Sequence, residues 1–290
     1  MSETTVTVIG LGPMGQAMAA AYLDRGYEVT LWNRTPARAD VLVARGARLA
    51  DSLEAALRAN ELVVLSLTDY DAAYAILRQA PQALAGRTVA NLTSDTPARA
   101  REAAAWLADH GAVQITGGVQ TPPPGIGSAD AATYYSGPAD AVAKHRAALE
   151  VLTGVDYLGE DPGLAALYYQ IGIDMFWTGL VGYLHGQALA TANGISAESF
   201  LEHAVKTMDF TYFLKFYAPR IDAANHEGDV DNLGMAVASL THVLHTAEDS
   251  GVDASLPAAI LDLFHRGAAA GHERDSLTSL VDVLKPSALT

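Results

Sequence analysis

A glycine-rich turn fixes what the start of this chain can become. Residues 5–9, TVTVI, form the β-branched apolar run of a buried strand, and Gly10-Leu11-Gly12-Pro13-Met14-Gly15 follows without a gap. Pro13 suits a first helical position, because its fixed φ and missing N–H cost nothing there. The helix is expected to run through 17–23 and stop at Gly26, after which residues 28–32 supply a second strand. In such a βαβ unit Gly12 lets the backbone approach a pyrophosphate, and the helix N-terminus at Met14 offers unpaired N–H groups. A glycine-rich turn without a ligand is the plain alternative, and the βαβ context weighs against it.

The alternation continues. Asp51 with Glu54 reads as a capping box before a short helix, and strands are expected at 62–67, 88–92, 113–116, 133–136 and 155–158. Helices are expected from Thr96-Pro97 to 108 and over 139–152. Strands and helices in alternation mean a mostly parallel, doubly wound α/β sheet. Beyond the turn Gly159-Glu160-Asp161-Pro162-Gly163 only helices are expected, with turns near Gly228 and Gly251. The first of them, 164–192, would span roughly 40 Å. Gln170, Asp174, His185 and Gln187 interrupt its apolar surface, which argues against a membrane span and for a helix that links domains. The expected organisation is therefore a nucleotide-binding domain at 1–162, an interdomain helix at 163–192 and a helical domain at 193–290. A chain of 290 residues with 50% hydrophobic content can bury two medium cores.

The end of the second strand selects the cofactor. A site for NAD would place Asp or Glu there, whereas this chain reads Trp32-Asn33-Arg34-Thr35-Pro36-Ala37-Arg38. Asn33 carries no charge to repel a 2′-phosphate, Arg34 can stack on adenine while its fork binds that phosphate, Thr35 offers a hydroxyl, and Arg38 lies a turn further on. Any one arginine here could be a solvated helix-start residue; the set points to NADPH. Leu67, Thr68 and Thr93, where later strands end, join Gly10 to Gly15 as candidate cofactor contacts.

Charge limits the partners. Against 33 Asp and Glu stand 18 Lys and Arg, a formal charge of −15, which disfavours nucleic acid. No cysteine is present, so disulfides and thiolate metal sites are excluded. MSETTVTVIG has no secretory signal pattern, and the expected location is the cytoplasm.

An absence sharpens the chemistry. The nucleotide-binding half resembles that of the hydroxyacid dehydrogenases, and that resemblance implies a following helix with a catalytic lysine, yet 163–192 contains none; Lys144, Lys206, Lys215 and Lys285 are the only lysines. An ammonium beside nicotinamide suits a carboxylate or a developing alkoxide but repels an iminium cation, by about 4 kcal/mol at about 4 Å and an effective dielectric of about 20. Its loss favours a cationic electrophile.

Taken together, Gly10-Leu11-Gly12-Pro13-Met14-Gly15, Trp32-Asn33-Arg34-Thr35, Thr121-Pro122-Pro123-Pro124-Gly125-Ile126-Gly127, Tyr135-Ser136-Gly137 and Gly159-Glu160-Asp161-Pro162-Gly163-Leu164-Ala165 with a non-lysine at 169 resemble the NADPH-dependent imine reductases, relatives of the β-hydroxyacid dehydrogenases. The resemblance covers essentially the whole chain. One departure is Ile171, where a smaller residue or leucine is more usual; it bears on helix packing. The resemblance implies an N-terminal Rossmann domain, a long interdomain helix and an all-helical C-terminal domain exchanged in a homodimer, with the site between one subunit's cofactor domain and the other's helical domain. It also implies reduction of a prochiral, cyclic C=N bond to a chiral amine.

By that resemblance Tyr169 faces the imine nitrogen, and tyrosine there leans towards (S)-products. Tyr169, Ile173 and Trp177 recur at helical spacing and share a face. A phenol with an ordinary pKa of about 10 is protonated at neutral pH and can donate to nitrogen. An interior tyrosine bonded to backbone is the plainer reading without the resemblance. Asp174 is the rival acid, about 140° further around the helix and better placed for an interdomain hydrogen bond or ion pair. Thr93, Ser94 and Gln120 are further substrate-pocket candidates, against helix-entry or loop roles, and Trp177, Phe210, Met235 and His242 could shape the pocket or simply pack. The His242 to His245 spacing has no matched carboxylate, so no metal is expected. Two other functions stay open: a β-hydroxyacid or carbonyl reductase with a different acid, and a non-catalytic NADPH-binding protein.

Overall fold

The computed structural model describes residues 4–285. The chain divides into two compact units, Met1–Asp174 and Met175–Thr290. In the first unit β1 (Thr5–Ile9), α1 (Pro13–Asp24) and β2 (Glu28–Trp32) make the opening βαβ, followed by α2 (Asp40–Val43), β3 (Arg48–Leu49), α3 (Leu53–Ala59) and β4 (Leu62–Leu65). Then come α4 (Tyr70–Leu77), β5 (Thr88–Asn91), α5 (Pro97–Asp109), β6 (Val113–Val119), β7 (Ala132–Ser136), α6 (Ala139–Leu149) and β8 (Gly154–Gly159).

The eight strands form one sheet in the order β3-β2-β1-β4-β5-β6-β7-β8. All neighbours are parallel except β6 and β7, which pair antiparallel with Gly118 opposite Tyr134. The order reverses direction beside β1, the switch point at which α/β sheets bind ligands. Alternate residues feed opposite faces: Val6, Val8, Leu31 and Val64 enter one core cluster, and Ile9, Val63, Leu65 and Val89 the other. These strands are buried on both sides, which is why they read as continuous apolar runs.

Local chemistry sets the helix starts. Pro13 is at the beginning of α1, and Gly26, with φ +77°, closes it. Thr96 caps α5 by accepting from the Arg99 amide at 3.4 Å. The cap of α3 differs from the expected one: Ser52, not Asp51, accepts the Ala55 amide proton at 3.1 Å. Asp51 lies one residue too early to face that N–H. The short edge strand β3 has no counterpart among the expected strands, since two residues carry no alternation. Strand β6 continues through Gly117 and Gly118, past the expected end at 116. Helix α6 stops at Leu149 instead of 152, and the Leu152 carbonyl accepts from the Gly127 amide at 2.7 Å.

Helix α7 (Leu164–Ala192) is continuous, and the division between the units falls within it. After it the second unit contains α8 (Ala197–Thr207), α9 (Thr211–Asp222), α10 (Leu233–Asp249), α11 (Ser255–Gly267) and α12 (Leu280–Leu284), with no strand among the described residues. Among the described residues no helix is long and apolar enough to cross a membrane.

Candidate functional site

A cleft of about 650 Å³ opens at the switch point, lined by the glycine-rich turn, the end of β2, the β4–α4 loop and one face of α4. The three glycines have different roles. Gly10 has φ +94°, and a Cβ there would meet the Ser66 carbonyl oxygen at 2.2 Å. A Cβ on Gly15 would lie 1.9 Å from the Gly10 oxygen, so this residue seats α1 on the sheet. A Cβ on Gly12 would meet nothing within 4 Å; it faces the open cleft, as a residue beside a bound pyrophosphate must.

Asn33 ties this turn to the next loop. Its Oδ1 accepts the Leu11 amide proton at 2.9 Å and its Nδ2 donates to the Thr35 carbonyl at 2.9 Å. Arg34, Thr35 and Arg38 line the same cleft, and neither arginine forms an ion pair among the described residues. Two free guanidinium groups beside a hydroxyl at the end of β2 match the chemistry of a 2′-phosphate, and among the described residues no carboxylate lines the cleft.

The start of α7 is bolted to the first unit. Ser136 Oγ accepts the Ala165 amide proton at 3.0 Å and donates to the Pro162 carbonyl at 3.2 Å. Arg101 grips Asp161 with two hydrogen bonds of 2.8 and 2.7 Å. The guanidinium, helped by the Gly163 amide, holds the Asp161 carboxyl below the usual carboxylate range. Gln170 Nε2 donates to the Asp95 carbonyl at 3.2 Å. Between these anchors stands Tyr169, its Cβ over Gly118. Helix α7 carries no lysine or arginine along its whole length.

Residues 161–286 match the family model described as NADPH-dependent reductive aminase-like, C-terminal domain, and residues 5–159 match the NAD binding domain of 6-phosphogluconate dehydrogenase. The NADPH-dependent reductive aminase of Aspergillus oryzae is 32% identical over 288 residues, 97% of each chain. An imine reductase from Streptomyces aurantiacus superposes with a TM-score of 0.95 at 59% identity, over 97% of this chain and 100% of that one. The chain belongs to the NADPH-dependent imine reductase family.

An imine reductase from Bacillus cereus is similar at 55% identity and a TM-score of 0.92, over 98% of this chain and 99% of that one. In this family, oxidoreductases that act on C=N bonds, the cofactor is NADPH. The expected contacts Gly10, Leu11, Gly12, Pro13, Met14, Asn33, Arg34, Thr35, Arg38, Leu67 and Thr68 all line the cleft of this imine reductase family member. Gly15 sits behind them as a packing residue. Thr93 does not line it: the side chain is buried, and its Oγ1 accepts the Leu67 amide proton at 3.2 Å, fixing the β4–α4 loop. Ser94 is exposed beside it. Gln120 lines another cavity, of about 370 Å³, with Thr121, Gly125 and Ser128.

Trp177, Phe210, Met235 and His242 belong to the second unit, and all four are exposed. Trp177 packs edge-on to Phe176, ring centroids 5.2 Å apart. Asp174 is also exposed, and of the hydrogen bond or ion pair expected of it, no ion pair forms among the described residues. The structure adds cleft residues that the motif reading missed: Ser66 after β4, and Ala72, Ala75, Ile76 and Gln79 along α4 and just beyond it. Their helical spacing, with mostly small side chains, is the available signal.

Proposed function

We propose that this chain reduces prochiral C=N bonds, cyclic imines in particular, to chiral amines with NADPH, and that Tyr169 supplies the proton. Gly12 and the start of α1 would cradle the pyrophosphate, and Arg34, Thr35 and Arg38 would hold the 2′-phosphate. Bound NADPH supplies a hydride to the electrophilic carbon. The observation that carries the reading is a phenol rooted over Gly118 by an anchored helix start, on a helix without lysine or arginine.

Phenols as a class are protonated at neutral pH and can hydrogen-bond an imine nitrogen, while the absence of an ammonium leaves an iminium charge unopposed. A tyrosine donor at this position is also the basis for the lean towards (S)-products. Thr93, Ser94, Gln120, Trp177, Phe210, Met235 and His242 are the residues we assign to the substrate surroundings, Thr93 acting through the loop it fixes.

We assign the assembly as a domain-exchanged homodimer in the cytoplasm. Met175, Phe176, Trp177 and Leu184 on α7 and Tyr212 and Leu214 on α9 are exposed large apolar residues, more than a lone chain leaves in water. Turnover of a cyclic imine such as 2-methylpyrroline, set against a panel of β-hydroxyacids and followed by NADPH absorbance, tests the function. Imine turnover with inert acids is expected; turnover of acids alone would overturn it.

A further inference from the structure

We propose that Gly118 is a positioning residue for the proton donor: the missing side chain on β6 fixes where Tyr169 stands. This rests on the reading of Tyr169 as donor. A Cβ on Gly118 would lie 2.7 Å from the Cβ of Tyr169, 2.9 Å from the Ala165 carbonyl oxygen and 3.3 Å from the Tyr169 Cγ. These atoms are backbone and the root of a side chain, so no rotamer change relieves the clash. The helix itself has to move.

The helix is not free to do so. Ser136 holds the Ala165 amide at 3.0 Å, Arg101 holds Asp161, and Gln170 reaches the Asp95 carbonyl at 3.2 Å, on both sides of the contact. Strain introduced at 118 is therefore taken up by the turn that carries Tyr169. The adjacent Gly117 serves another purpose, since a Cβ there would meet Leu92 at 2.2 Å and Tyr135 at 3.1 Å, inside the sheet core. One glycine serves packing and the other sets the distance between strand and donor. A displacement of about 1 Å in a reacting group costs on the order of 100-fold in rate.

The test is Gly118→Ala in the natural and in the Tyr169→Phe background, reading the single-turnover rate of imine reduction, NADPH affinity and melting temperature. With Tyr169 present the rate is expected to fall by about 10- to 100-fold while NADPH affinity stays within about twofold. In the Tyr169→Phe background the same substitution is expected to cost less than about threefold, because the phenol whose placement matters is gone. Equal losses in both backgrounds, or an unchanged rate with Tyr169 present, overturn the proposal. A Tyr169→Phe enzyme with the full rate shows instead that the donor reading fails, and the positioning role falls with it. If Gly118→Ala does not fold, Ser136→Ala takes its place, since it removes only the hydroxyl that holds the helix start. Its expected effect is a loss of about three- to tenfold with Tyr169 present and no change in the Tyr169→Phe background, and equal losses again overturn the proposal.

Discussion

The side-chain oxygen of Asn33 accepts a hydrogen bond from the backbone amide of Leu11 at 2.9 Å, so the residue where an NAD site keeps a carboxylate is used to hold the glycine-rich turn. Because the Asn33 side-chain amide also donates to the Thr35 carbonyl, one side chain ties the glycine-rich turn to the loop after β2. Asn33→Ala is expected to weaken NADPH binding by about tenfold, the equivalent of about one hydrogen bond of 1 to 1.5 kcal/mol, read by calorimetry. Unaltered affinity would show that the loops hold their shape without it.

Arg34 should discriminate between cofactors. Loss of a charge-assisted contact to the 2′-phosphate costs about 1.5–3 kcal/mol, so Arg34→Ala is expected to raise the NADPH dissociation constant by about 10- to 100-fold and leave that of NADH nearly unchanged. Parallel titrations of the two cofactors check it; equal losses would place Arg34 on a part that both share.

The sheet and the cofactor cleft are legible in the sequence for a physical reason: each depends on residues adjacent along the chain. Gly10 to Gly15 and Asn33 to Arg38 sit at strand ends, where local turn chemistry and position in the sheet coincide. The face of α4 is not legible, because Ala72, Ala75, Ile76 and Gln79 acquire their role only when β4 is laid beside β1. Thr93 shows a different limit, as a strand-end hydroxyl can face a ligand or, as here, a neighbouring loop amide. The contact between Gly118 and Tyr169 is hidden because it joins residues of β6 and α7 that no local pattern links.

Gly15 tests the packing beneath the cleft. With a Cβ 1.9 Å from the Gly10 oxygen, Gly15→Ala forces a backbone shift. We expect about 3 kcal/mol or more of lost stability in urea unfolding, together with lost NADPH binding. Native stability would mean that α1 can tilt without cost.

The second unit has its own acid sensitivity. Burial pushes the Asp231 carboxyl up, but Tyr217 at 2.6 Å, the Leu277 amide at 2.9 Å, Ser276 at 2.8 Å and the Arg220 charge outweigh it and hold the group below the usual carboxylate range. A depressed folded-state value contributes stability above the ordinary carboxylate pKa of about 4, lost as pH falls through the lower folded value. Asp231→Asn should therefore lower the melting temperature at pH 7 and flatten its decline in acid. Parallel melting curves for the two proteins against pH would contradict this.

The most direct measurement is the single-turnover rate of 2-methylpyrroline reduction by Tyr169→Phe, with NADPH affinity measured on the same preparation. A positioned proton donor is worth about 10² to 10⁴ in rate, so a loss of at least about 100-fold with NADPH affinity unchanged is predicted. A Tyr169→Phe enzyme that turns over at the natural rate would contradict the claim that the phenol on α7 replaces the lysine.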